Sequence, residues 1–73
     1  MKYQDRIRKE RKARRLSQTA VAKVLDVKQR TYSDYESGRL RLPLDSIMTL
    51  AQFYGVSLDY LSGISDEKRP YGS

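Results

Sequence analysis

Seventy-three residues are enough for one small domain, since halving them would leave neither part a core. Cysteine and histidine are both absent, which excludes disulfides, thiolate or imidazole metal sites and Ser-His or Cys-His nucleophile pairs. Fifteen Lys and Arg against nine Asp and Glu give a formal charge of +6, which points to a polyanionic partner and to binding rather than catalysis.

The charge is uneven. Residues 1–41 hold 13 basic and 5 acidic residues, a net of +8, whereas residues 42–73 hold 2 and 4, a net of −2. A basic working half beside a neutral supporting half is one reading, and a solvated Arg/Lys-rich helix is the other. No segment approaches the roughly 18 consecutive apolar residues of a membrane span. The first residues also lack the apolar stretch of a secretory signal, so a soluble, cytoplasmic protein is expected.

Apolar residues recur at helical spacing throughout. Tyr3 to Arg14 is rich in long-chain helix formers, with a thin apolar stripe of Tyr3, Ile7 and Ala13. Ser17 is a plausible N-cap for a short second helix containing Val21, Ala22, Val24 and Leu25. Asp26 can hold the left-handed conformation that ends it. Lys28 to Ser37 form a third helix, with Tyr32 and Tyr35 on its inner face and Gly38 at its end.

Arg39 to Leu42 is a basic loop, and Pro43 stands where a first helical residue would lie. Leu44, Ile47, Leu50, Ala51 and Tyr54 step along one face of a fourth helix that stops at Gly55. Ser57 caps a fifth, containing Leu58, Tyr60 and Leu61 and closed by Gly63. Residues 65–73 read as a flexible tail on a domain spanning residues 1–64, and no strand signal appears. The fold class is therefore all-α, a compact five-helix domain. Its expected core is Ile7, Leu16, Val21, Leu25, Val27, Tyr32, Tyr35, Leu44, Ile47, Leu50, Ala51, Val56, Leu58 and Leu61.

Residues 16–38 carry the functional signal: two short helices around a tight turn, the second with a long-reach polar face. Leu16, Ser17, Gln18, Val21, Ala22, Leu25, Val27, Thr31, Ser33, Tyr35, Glu36 and Gly38, with the Leu44–Leu61 segment ending in YGVSLDYL, resemble the phage-repressor (Cro/repressor-type) helix-turn-helix family. The likeness runs from Ile7 to Gly63 and implies a lambda-repressor-like fold whose third helix reads the major groove of duplex DNA.

Carried over, Lys28, Gln29, Arg30, Ser33 and Asp34 face base edges. Arg matches guanine O6 and N7, Gln matches adenine N6 and N7, and a carboxylate accepts from cytosine N4. Asp34 could instead pair with Arg30, four residues earlier, and both readings stand. Gln18, Thr31, Ser37, Arg39 and Arg41 fall at phosphate positions, although Gln18 could simply cap its own helix. The resemblance further implies a structural salt bridge between Arg11 and Glu36.

Two positions depart from the family, which usually has Gly at Asp26 and often at Arg15. Leu40 and Leu42 lie in a loop that is typically polar; they either pack on the fourth helix or meet a partner subunit. What the likeness implies is a transcriptional regulator, of repressor and phage or mobile-element type, acting as a homodimer with no cofactor. Val56, Leu58, Tyr60, Leu61 and Ile64 are its candidate dimer surface, unless all but one or two of them belong to the core. An antitoxin or adaptor-type protein-interaction module on the same fold is the alternative.

Overall fold

The computed structural model describes residues 2–72, and five helices account for most of them: α1 Tyr3–Ala13, α2 Gln18–Val24, α3 Gln29–Ser37, α4 Leu44–Tyr54 and α5 Leu58–Ser62. In α1, Asp5 lies in the first turn and Arg11 and Lys12 in the last, each complementing the helix dipole. Ser17 and Ser57 cap α2 and α5, their hydroxyls accepting from the backbone N–H groups of Ala20 and Tyr60 at 3.0 and 3.2 Å. α2 packs on α3, while α1 lies between α3 and α5.

Three helices end in the same way. A left-handed residue lets its own N–H and the next one fold back onto the last turn. At α4 this is Gly55, with Gly55 N donating to Gln52 O and Val56 N to Ala51 O. At α1 the left-handed residue is Arg15, φ 56°, and Leu16 N donates to Arg11 O at 3.1 Å. At α2 it is Asp26, φ 56°, and Val27 N donates to Ala22 O at 3.0 Å. Each closure is followed by an apolar residue (Leu16, Val27 or Val56) turned onto the core, as this type of helix stop favours.

The core comprises Ile7, Val21, Ala22, Tyr32, Tyr35, Ile47, Leu50, Ala51, Tyr54, Val56, Tyr60 and Leu61. Leu16, Leu25, Val27, Leu42 and Leu58 are partly buried against it, while Leu40 is exposed. Burial pushes the Tyr54 hydroxyl up to about 12 and that of Tyr32 further still.

Several expectations need correction. Leu44 is 66% exposed: Pro43 occupies the N-cap position, so α4 begins one residue later and Leu44 overhangs the end of the core. Ala13 is exposed as well. Tyr60, read as a dimer-surface candidate, is buried beneath the Arg6 guanidinium, 4.1 Å from its ring centroid.

Of the flexible tail expected over residues 65–73, residue 73 lies outside the described residues and residues 65–72 lie back against the helices. Arg6 donates to Tyr60 O and Ser65 O at 2.6 and 2.8 Å and pairs with Asp66 at 2.7 Å. Lys68 reaches buried Glu10 at 3.1 Å. Ser57 N donates to Arg69 O and Tyr71 N to Gly55 O, flanking an antiparallel bridge between Val56 and Pro70. Among the described residues no helix is long and apolar enough to cross a membrane.

Candidate nucleic-acid interface

α3 is nine residues long and divides cleanly by period. Tyr32, Tyr35 and Glu36 turn inward, whereas positions 29, 30, 33, 34 and 37 fall on the opposite side. Gln29, Arg30, Ser33, Asp34 and Ser37, together with Arg39 from the following loop, line one open groove of about 400 Å³. Four of the five expected base-reading residues therefore share a single concave surface.

Lys28 stands exposed at the α3 N-cap, at the groove's edge in sequence but not among its lining residues. Thr31 is half-buried on the other flank of the helix, and Arg41 is exposed on the loop beyond Arg39. Among the described residues no ion pair joins Arg30 to Asp34.

A line of polar side chains holds the groove in place from behind. Gln29 Nε2 donates to Gln18 Oε1 at 2.7 Å, and Gln18 Nε2 donates to Glu36 Oε1 at 3.2 Å. Glu36 in turn accepts two bonds from Arg11, Nε to Oε2 at 2.7 Å and Nη2 to Oε1 at 3.1 Å. Arg11 also donates to Leu16 O, and Arg8 donates to the Glu36 backbone carbonyl at 3.2 Å. Three helices thus meet through one carboxylate.

Burial works to raise the Glu36 carboxyl, but the hydrogen bonds from Arg11 and Gln18 and the Arg11 charge outweigh it, holding the group below its ordinary value. The same bond raises the Arg11 guanidinium above its usual range. Gln18 is a half-buried brace between α2 and α3, its amide engaged at both ends, while Ser17 does the capping.

Arg8 and Lys12 are not among the residues expected at the site. With Arg11, Gln18, Ser33, Glu36 and Ser37 they line a second cleft of about 270 Å³ beside the first. The spacing of Arg8, Arg11 and Lys12, three and four residues apart, was the available signal that they share a stripe of α1.

A helix-turn-helix family model matches residues 7–61. The chain belongs to that family. It is 35% identical over 68 residues to an uncharacterized HTH-type transcriptional regulator, YobD, of Bacillus subtilis (strain 168), covering 93% of this chain and 61% of the relative. It is also similar to the crystal structure of a transcriptional regulator from Listeria innocua, with a TM-score of 0.83 at 26% identity, over 90% of this chain and 62% of that one. This chain spans about three-fifths of the length of both. Both relatives are described as transcriptional regulators.

Proposed function

We propose that this protein is a sequence-specific double-stranded DNA-binding transcriptional regulator, a repressor of phage or mobile-element type that reads the major groove with α3. One observation carries the reading: the convergent, outward polar face of Gln29, Arg30, Ser33 and Asp34, braced through Gln18 and Glu36 onto α1. A face held from behind can present hydrogen-bonding groups to base edges with little ordering left to do on binding. Lys28, Gln29, Arg30, Ser33 and Asp34 contact bases in this reading. Gln18, Thr31, Ser37, Arg39 and Arg41 contact phosphates, and Gln18 also braces Gln29 at the edge of the groove.

Repression would follow from occlusion of promoter elements, with a homodimer on a two-fold operator in the cytoplasm and no cofactor. Of the proposed dimer surface, Val56, Tyr60 and Leu61 are core and Leu58 is half-buried. Ile64, 81% exposed at the end of α5, is the apolar residue left to make it.

Selection of bound sequences from a random duplex pool tests the reading. The expected result is two half-sites about one helical turn apart. Arg30→Ala should weaken binding by about 1–3 kcal/mol and relax preference at one base, while Arg41→Ala should weaken all sequences alike. A wild-type protein that enriches nothing and gives no gel shift at low salt would favour the protein-interaction module instead.

A further inference from the structure

The brace explains how α3 is held, but α1 carries more charge than the brace uses. On α1, Arg8, Arg11 and Lys12 lie on one stripe, and all three line the cleft shared with Gln18, Ser33, Glu36 and Ser37. Only Arg11 is consumed there, by its two bonds to Glu36. Arg8 spends one Nη2 on the Glu36 carbonyl, its Nε stands 3.9 Å from the carboxylate, and its side chain is 44% exposed. Lys12 is exposed and makes no ion pair among the described residues. Three cations face one carboxylate, so the cleft keeps a surplus of two positive charges.

Position decides what anion would come there. Ser33 and Ser37 belong both to this cleft and to the α3 groove, so the two are continuous across one helix. A duplex seated on α3 would carry a phosphate strand along the rim of the groove, past those serines and toward α1. Gln18 can offer that strand only one side-chain N–H, since its other amide hydrogen goes to Glu36 and its Oε1 accepts from Gln29.

We infer that α1 is a second phosphate-binding element, in which Arg8 and Lys12, flanking the ion-paired Arg11, close on the DNA backbone at the α1–α3 cleft. This rests on the DNA-binding reading above. The contacts are to phosphodiester oxygens and carry no base information, so they set register and affinity across all sequences.

Fluorescence anisotropy on a labelled random-sequence duplex, titrated with salt, separates the possibilities. Each lost phosphate contact lowers the slope of log affinity against log salt by about 0.9. Arg8→Ala with Lys12→Ala should therefore lower it by about 1.8. Since Arg8 also bonds α3, Lys12→Ala alone, checked by circular dichroism, should lower it by about 0.9 with the fold unchanged. Lys9→Ala with Arg69→Ala removes the same charge from exposed positions outside the cleft and should leave the slope near wild type. Equal slopes for wild type and the cleft variants would overturn the inference, as would an equal fall in the Lys9/Arg69 control. Failure of the wild type to bind at low salt would overturn the DNA reading and this inference together.

Discussion

Glu36 has only 4% of its side chain exposed and Arg11 12%, so the pair that holds α1 to α3 is nearly closed to water. Removing one member of such a pair strands the other, at about 3–5 kcal/mol. A core of this size supplies about 3–5 kcal/mol in all. The two magnitudes cancel, so Glu36→Ala should unfold the domain, seen as loss of the cooperative melt by circular dichroism. The carboxyl also ionises at lower pH folded than unfolded. Its stabilisation is complete above the ordinary carboxylate value and is lost as pH falls through the lowered one. Glu10, buried beneath Arg14 and Lys68 and likewise lowered, adds to that acid-side loss. Arg15 presents the opposite case, an exposed side chain on a left-handed backbone. That conformation costs a non-glycine residue about 1–2 kcal/mol, and the extra unfolded-state freedom of glycine gives back about 0.4–1. Arg15→Gly should therefore raise the melting temperature by a few degrees, with Asp26→Gly gaining less because Asp tolerates the conformation better.

At the scale of elements, α1 is clamped on two sides. Arg8 and Arg11 hold α3, while Arg6, Glu10 and Arg14 hold α5, the end of α4 and residues 65–68. The Arg6–Asp66 bond is short, but Asp66 is 90% exposed, so Asp66→Ala should cost less than about 1 kcal/mol. A chain ending at Ile64 also removes the Ser65 carbonyl from a buried guanidinium and Lys68 from buried Glu10. It should lose about 1–3 kcal/mol while keeping its helical far-ultraviolet spectrum, as thermal melts of the two variants would show.

The helices and their stops were legible because Ser17, Ser57, Asp26, Gly38, Gly55 and Gly63 act within a few residues of themselves. The outward face of α3 was legible because it is a matter of period. What was not legible depends on partners 40 to 60 positions away: Arg6 over Tyr60, Arg14 against the Tyr54 carbonyl, and the return of residues 65–72. At Arg15 the sequence shows only a departure from the family's frequent glycine, since nothing in the residue itself marks a left-handed backbone. Arg8 and Lys12 were merged into a general basic surface because their cleft exists only once α1 lies across α3.

For the whole molecule, the +8 of residues 1–41 resolves into unlike parts. Arg6, Arg11 and Arg14 are tied into the fold, while Lys28, Arg30, Arg39 and Arg41 remain exposed on and after α3. A single such face covers only half of a two-fold operator, so affinity in this reading depends on joining two copies. Joining multiplies the effect of each half-site, because the second contact becomes intramolecular. Ile64 is far from the Gln29–Arg39 groove in sequence and makes no part of its lining. Ile64→Asp should then leave the melt and the binding of one half-site unchanged, yet abolish the gain in affinity on a duplex carrying both. Sedimentation at matched concentrations should show the wild type heavier than the variant. If both proteins sediment as monomers and bind the double site equally well, the homodimer through Ile64 is wrong and another exposed apolar side chain, such as Leu44 or Phe53, has to be tried.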